Sequence, residues 1–230
     1  MPNRNLDLLK AAAKPLLPVL HELVFVGGCT TGLLISDEAA ADVRTTIDVD
    51  AIVDVLNYAE YISFSEKLQM LGFATDTSEG APLCRWQNGE IKFDLMPLDE
   101  KILGFSNHWY KPAMETANDH LIEAGLLVRV VSAPYFCATK LEAFKGRGKG
   151  DFLTSHDLED FIMIVDGRPE LLEELQASPD DLRSYVAGTT SQFLKFDRFI
   201  DALPGHLLPD EANQSRMGVL MKRLEQISKL

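Results

Sequence analysis

The chain has 230 residues, of which 46% are hydrophobic and 25% charged, and its formal net charge is −13. This is an ordinary globular composition with enough residues for a sizeable core, and the acidic balance argues against broad electrostatic binding of nucleic acid. Three cysteines without C-x-x-C spacing indicate neither a disulfide framework nor a zinc site, and no apolar stretch is long enough to span a bilayer. We therefore expect a cytoplasmic protein without a membrane partner.

The first elements lead to a glycine pair. Residues 5–13 are typical of a short amphipathic helix, and an apolar run predicts a strand at Leu23–Val26. The strand ends in Gly27-Gly28, which is followed by three small residues: Cys29, Thr30 and Thr31. Adjacent glycines let the backbone approach a ligand closely and direct successive N–H groups at an anion. The segment thus predicts a phosphate-binding turn, although a glycine pair alone is a weak signal.

Apolar and acidic residues alternate between positions 47 and 55, which predicts a half-buried strand. Because side chains repeat every two residues along a strand, Asp48 and Asp50 project from the same face. Two neighbouring carboxylates repel each other unless a proton or cation offsets their charge. We therefore expect a hard divalent cation here, Mg²⁺ in the first place and Mn²⁺ as the alternative.

A hairpin follows a predicted helix over residues 57–71. The dipeptide Asn88-Gly89 lies between two alternating runs and predicts the turn of this hairpin. On the second strand, Asp94 faces away from the apolar side chains, as Asp48 does. It is a candidate third carboxylate, and the alternative is a solvent-exposed aspartate paired with Lys92 or another neighbour.

The second half begins with a strand at residues 126–131 and a helix that Ser132 and Pro134 would start. Lys140 lies on this helix, and a solvated lysine is the alternative to a binding role. The basic run KGRGKG, at residues 145–150, is not a Walker P-loop and predicts a lid, an acceptor-binding loop or a flexible connection.

Helices are predicted for the remainder of the chain. One begins near residue 154 and ends near Gly167, with Asp157 in its first turn, where an acidic side chain also interacts favourably with the helix dipole. Residues 169–230 show helical patterns throughout, with a long segment at 180–203. We expect two parts: a core at 1–166 and a helical C-terminal subdomain at 167–230.

These motifs resemble a known superfamily. A glycine-pair turn followed by a strand with D-x-D resembles the nucleotidyltransferases, and the runs VRTTIDVD and ATKLEAF resemble their AbiEii/AbiGii toxin-like branch. The resemblance covers Gly27 to Asp50 and, more loosely, the chain up to about residue 166. It departs at Cys29, where Ser or Thr is usual, and in a long ISDEAAAD insert. It implies an α/β (α+β type) fold, with a mixed sheet flanked by helices and a helical C-terminal region.

The resemblance also implies roles for individual residues. It assigns Asp48, Asp50 and Asp94 to catalysis and metal binding, Lys140 to the triphosphate, and Asp157 to the last acidic position, with Asp160 as its substitute. The substrate would be an NTP bound by five residues: Gly27, Gly28, Cys29, Thr30 and Lys140.

The implied reaction is metal-dependent transfer of NMP from an NTP to an acceptor hydroxyl. For a toxin-like member the acceptor is RNA, with the 3′ end of tRNA as a candidate, and a cognate antitoxin would neutralise the enzyme. One alternative is transfer to a small hydroxylated molecule, as in aminoglycoside nucleotidyltransferases, which the acidic composition favours. The other is a degenerate module without catalysis. The sequence leaves the oligomeric state open.

Overall fold

The computed structural model describes residues 4–55 and 57–230 and divides the chain into two compact units. The sheet unit comprises the chain through Gly32 together with 44–132, and the helical unit comprises residues 33–43 together with 133–230. The predicted functional division at residue 166 stays a prediction.

Seven strands among the described residues form one mixed sheet, in the order β3-β4-β5-β2-β1-β7-β6. Their bounds are β1 Leu23–Val26, β2 Val49–Val53, β3 Ala74–Thr75, β4 Arg85–Asn88, β5 Ile91–Pro97, β6 Asn118–Glu123 and β7 Leu126–Val130. The central strand β2 pairs antiparallel with β1 and parallel with β5. Both parallel and antiparallel neighbours are therefore present, as the predicted mixed sheet requires.

Helices account for most of the remaining structure. Those of the sheet unit are α1 Arg4–Ala13, α3 Tyr58–Met70, α4 Glu100–Leu103 and α5 Tyr110–Glu115, and the short α2 is Thr31–Leu34. Those of the helical unit are α6 Ala133–Arg147, α7 His156–Gly167, α8 Leu171–Gln176, α9 Asp180–Phe193, α10 Asp197–Ala202, α11 Glu211–Ser215 and α12 Met217–Ile227. Short 3-10 helices lie at Leu17–Glu22, Gly28–Thr30 and Leu203–His206.

Each unit has its own apolar core. In the sheet unit, Phe25, Ile52 and Phe93 are fully buried on three adjacent strands. In the helical unit, the Phe152 ring lies 5.4 Å from that of Phe144 and 5.3 Å from that of Phe193, at the separations favoured by aromatic pairs. The units are thus built on separate hydrophobic clusters.

Several predicted elements are confirmed by the structure. The first helix is α1, and the helix predicted at 57–71 is α3, whose first turn is capped because the Asn57 side chain accepts from Glu60 N at 3.0 Å. The fold class is also confirmed: a mixed α/β sheet is accompanied by helices, and the C-terminal region is helical. No helix within the described residues is both long and apolar enough to span a membrane.

Other predictions were wrong in detail. The strand predicted at 47–55 is limited to 49–53, and the side chain of Ile47 is 67% exposed rather than buried. This strand is not half-buried either, since Ala51, Ile52 and Val53 are all buried as a central strand requires. The long helix at 180–203 is interrupted between α9 and α10, and strands β3 and β6 were not predicted.

Candidate active site

The pairing of strands β1, β2 and β5 places Asp50 between Asp94 and the end of β1. Asp50 on β2 lies directly opposite Asp94 on β5 in the parallel register and opposite Val26 on β1 in the antiparallel register. Val26 is the last residue of β1, so the Gly27-Gly28 turn begins beside Asp50. The sheet itself therefore places the glycine turn next to Asp50, as the resemblance to nucleotidyltransferases implies.

Gly27 is required at its position by both conformation and space. Its φ of 73° with ψ of −171° is a conformation that only glycine adopts without strain. A β-carbon at this residue would lie 1.9 Å from Asp50 Oδ2. The missing side chain at Gly27 thus provides the space that the Asp50 carboxylate occupies.

Arg85 joins the other two aspartates. Its Nε donates to Asp94 Oδ1 at 2.8 Å, and its Nη2 donates to Asp94 Oδ2 and to Asp48 Oδ2, both at 2.7 Å. The side chains are 13% exposed for Arg85, 8% for Asp94 and 25% for Asp48. Hydrogen bonding to Asp94 raises the pKa of Arg85, so the guanidinium is permanently charged. Asp94 is therefore buried rather than exposed, and it is paired with a neighbour, as the alternative allowed, but that neighbour is Arg85 instead of Lys92.

A second chain of hydrogen bonds supports Asp48, which lies just before β2. The Thr46 hydroxyl donates to Asp48 Oδ1 at 2.8 Å, and Thr46 N donates to Asn5 Oδ1 at 3.0 Å. The Asn5 amide in turn donates to the carbonyls of Arg44, at 2.9 Å, and Gly28, at 3.4 Å. Asn5, which is 2% exposed, thus connects the glycine turn to the segment that carries the aspartates.

Side chains of the turn make local contacts. The Cys29 thiol donates to Val26 O at 3.3 Å, and the Thr30 hydroxyl donates to Gly27 O at 2.9 Å. Thr31 Oγ1, by contrast, is a buried hydroxyl with no hydrogen-bond partner within residues 4–55 and 57–230. Of the residues after the glycine pair, Thr31 therefore carries the hydroxyl with unused bonding capacity.

The residue types suit a hard divalent cation, but the arrangement is not a ready three-ligand site. Carboxylate oxygens are the donors that Mg²⁺ prefers. No group of three acidic, histidine or cysteine residues in the described parts of the chain is arranged to hold a metal ion. Both Asp94 oxygens accept hydrogen bonds from Arg85, and each Asp48 oxygen also accepts one hydrogen bond. Asp48 and Asp50 are the residues that would hold a cation.

The negative field of the sheet site also acts on a neighbouring thiol. Cys84 precedes Arg85 and is 4% exposed. Burial, and then the charges of Asp94 and Asp50, raise the pKa of this thiol to about 12. Cys84 is therefore neutral at ordinary pH and is neither a nucleophile nor a soft-metal ligand.

A second charged cluster lies inside the helical unit. Lys140 Nζ on α6 lies 3.2 Å from Asp157 Oδ1 and 2.7 Å from Asp160 Oδ2 on α7. Lys140 is 7% exposed, so the solvated lysine considered from the sequence is wrong. Asp157 and Asp160, the two candidates for the last acidic position, thus both contact the Lys140 ammonium.

Arg147 completes this cluster from the end of α6. Its Nε donates to Asp157 Oδ2 at 2.7 Å and its Nη2 to Asp157 Oδ1 at 2.8 Å. Burial alone would raise the pKa of Asp157, but Arg147 and Lys140 outweigh burial and hold this pKa below its ordinary value. The expected loop at 145–150 is thus partly helical, since α6 extends through Arg147.

Sequence reasoning missed Arg85 and Asn5. Arg85 lies directly opposite Asp94 in the hairpin and forms a cross-strand pair with it, but the turn predicted at Asn88-Gly89 would have put Arg85 opposite Lys92. No local pattern indicated Asn5, because its partners are 23 to 41 residues away along the chain.

Comparison with known proteins supports the fold. No protein-family model and no curated protein sequence matches the chain. A crystal structure of an antigenic nucleotidyltransferase-like protein from Paracoccidioides brasiliensis aligns with a TM-score of 0.50 and 19% identity, covering 89% of this chain and 94% of that one. The chain therefore has a nucleotidyltransferase-like fold.

Proposed function

We propose that this protein is a nucleotidyltransferase that transfers NMP from an NTP to an acceptor hydroxyl. The observation that supports it best is the contact between Asp50 and the Gly27 turn, in a fold that resembles a nucleotidyltransferase-like protein. The backbone N–H groups of the turn would bind the phosphates, and Thr31 would add a hydroxyl contact. Lys140 and Asp157 keep their proposed roles at the triphosphate and the last acidic position.

The reaction would proceed by direct displacement. The acceptor oxygen forms a bond to the α-phosphorus, the bond from that phosphorus to the bridging oxygen breaks, pyrophosphate leaves, and the hydroxyl proton passes to solvent. Asp48 and Asp50 would hold Mg²⁺, or Mn²⁺, which would supply positive charge at the α-phosphate oxygens. The protein contributes position, because the sheet fixes Asp50 beside the phosphate-binding turn, and position with fixed charge supplies most of the catalysis in phosphoryl transfer.

The identity of the acceptor molecule is a further part of the proposal. On the resemblance of VRTTIDVD and ATKLEAF to the toxin-like branch, we propose an RNA acceptor such as the tRNA 3′ end, with a cognate antitoxin as partner. The formal net charge of −13 favours a second candidate, a cationic small molecule with a free hydroxyl. Salt separates these candidates, because affinity for a nucleic acid falls steeply as salt concentration rises.

The test is label transfer from each of the four α-labelled NTPs, with Mg²⁺, into total RNA and into a mixture of small hydroxylated molecules. We expect Asp50→Asn to lower transfer about 100-fold or more. The matched control is Asp54→Asn, which removes the same charge from an exposed residue just after β2. Label in RNA supports the toxin-like proposal, and label only in small molecules supports the second candidate. No label, together with no thermal stabilisation by NTP and Mg²⁺, would refute the proposal and leave a degenerate module.

A further inference from the structure

Asp94 and Asp48, two of the three predicted metal ligands, both accept hydrogen bonds from one cationic side chain, that of Arg85. Arg85 makes a two-pronged contact with Asp94 and a third bond with Asp48, all at 2.7 to 2.8 Å. Such charge-assisted, bidentate pairs are the stronger class of hydrogen bond. With the side chain of Arg85 only 13% exposed, the interaction is poorly screened by water or salt.

The backbone fixes this arrangement. Arg85 is the direct antiparallel partner of Asp94, so the two side chains leave neighbouring strands at the same level. Asp48 lies just before β2, which pairs with the other edge of Asp94's strand. The guanidinium therefore reaches across β5 to the aspartate that a divalent cation would need.

Both carboxylate oxygens of Asp48 already accept a hydrogen bond. Its Oδ2 accepts from Arg85, and its Oδ1 accepts from the Thr46 hydroxyl at 2.8 Å. A divalent cation that binds both Asp48 and Asp50 would lie close to the guanidinium, and two cations at one carboxylate repel each other. Binding of the ion and the Arg85–Asp48 bond are therefore in competition.

We propose that Arg85 is an internal cation that occupies the carboxylate cluster, and that a divalent metal ion must displace it from Asp48 in order to bind. The inference rests on the proposed function, since it concerns the same carboxylates. Arg85 keeps its two bonds to Asp94, which hold the side chain beside the site. One of the three negative charges is consequently compensated before any metal arrives, and metal binding is weaker than it would be without Arg85.

The experiment measures Mn²⁺ binding by electron paramagnetic resonance in the full-length protein, with circular dichroism to establish that each variant is folded. We expect Arg85→Met to bind Mn²⁺ about tenfold more tightly than wild type, because one charge-assisted hydrogen bond no longer has to be broken. Arg129→Met is the matched control: this arginine lies in the same unit but donates to the Met114 carbonyl at 2.7 Å, and its removal should leave the affinity unchanged.

Two further variants make the result specific. Arg85→Lys keeps the charge but loses the planar guanidinium that makes the bidentate contact, so its Mn²⁺ affinity should lie between those of wild type and Arg85→Met. This variant also serves as the test if Arg85→Met does not fold. Asp50→Asn in the Arg85→Met background should abolish the gain, since the ion would lose one of its carboxylate ligands.

The outcomes separate the two proposals. Unchanged or weaker Mn²⁺ binding in both Arg85 variants, with wild-type label transfer intact, would overturn the role of Arg85 and leave the proposed function standing. No Mn²⁺ binding in any variant, with or without NTP, and no label transfer in wild type would overturn both.

Discussion

The Asp50 carboxylate lies so close to the backbone of Gly27 that a β-carbon at residue 27 would come within 1.9 Å of Asp50 Oδ2. This contact joins the end of β1 to the middle of the predicted acidic site. A side chain at residue 27 would displace the Asp50 carboxylate, and the first prediction follows from that dependence.

We expect Gly27→Ala to abolish label transfer and to lower the free energy of unfolding. Backbone strain alone should cost about 1–3 kcal/mol, and displacement of the Asp50 carboxylate adds to it. Urea denaturation measures the stability. Gly89→Ala is the control, because Gly89 also has a positive φ of 59° but faces open space, so only the backbone cost of about 1–2 kcal/mol applies. Equal losses in both variants, or normal transfer in Gly27→Ala, would contradict the prediction.

The glycine turn and the two central aspartates could be predicted because their signals are local. Gly27-Gly28 directly follows an apolar strand, and the alternation around Asp50 is visible within nine residues. The sheet register then places Asp50 opposite Val26, one residue before the turn. The proximity of turn and carboxylate is thus a property of strand pairing, and in the sequence only the resemblance to nucleotidyltransferases implied it.

The role of Arg85 could not be predicted, and the reason is a shift of one residue in the hairpin. A turn at Asn88-Gly89 would place Arg85 opposite Lys92. In the structure Asn88 pairs with Ile91, so Gly89 and Glu90 form the turn and Arg85 lies opposite Asp94. Moving a turn by one position moves every cross-strand partner by two, which here exchanges a repulsive pair for an attractive one.

A double-mutant cycle should detect the Arg85–Asp94 pair. We expect Asp94→Asn to lower the free energy of unfolding by about 3–5 kcal/mol, because a buried guanidinium loses its main partner. Arg85→Met should cost a similar amount, and the double variant should cost less than the sum, with a coupling of about 1–3 kcal/mol. The measurement is urea unfolding in the presence of EDTA. Strict additivity of the two single changes would show that the pair contributes no interaction energy.

The burial of Lys140 also lay beyond sequence reasoning. A lysine on a helix is usually solvated, and the carboxylates that compensate it here come from another helix, 17 residues away for Asp157. Buried residues occupy nearly every face of α6, so its pattern does not single out the carboxylates that would face Lys140. Only the packing of α6 against α7 reveals which polar residues are enclosed.

Acid unfolding should depend on Arg147. The pKa of Asp157 lies below its unfolded value of 3.8, so the associated stability is complete above that value and is lost as pH falls through the lower native pKa. Arg147→Gln removes one cause of the lowered pKa and should move the acid-unfolding midpoint to higher pH, as followed by circular dichroism. Because the Arg147 side chain is 73% exposed, the shift should be modest and should shrink in high salt.

The control for this prediction is Lys195→Gln, which removes the same charge from an exposed residue of the helical unit. Its acid midpoint should stay near that of wild type. If both variants shift equally, the effect is one of net charge, and the specific contact between Arg147 and Asp157 does not set the acid stability.

Lys140 is the residue for which structural and binding roles are most easily confused. Its ammonium lies between Asp157 and Asp160, whose side chains are 8% and 2% exposed. Lys140→Met would leave two buried carboxylates with reduced compensation, and we expect a loss of about 3–5 kcal/mol in the free energy of unfolding. Lys140→Met/Asp160→Asn should recover part of that loss, because one of the uncompensated charges is also removed.

The double variant Lys140→Met/Asp160→Asn then separates the structural role of Lys140 from its proposed role in NTP binding. If Lys140 contacts the triphosphate, the folded double variant should bind NTP at least about tenfold more weakly than wild type, as expected for the loss of one charge-assisted contact. Asp160→Asn alone is the control for this comparison, because it retains the ammonium. Wild-type NTP affinity in the stable double variant would limit Lys140 to holding α6 and α7 together, and the binding role inferred from the ATKLEAF helix would then be wrong.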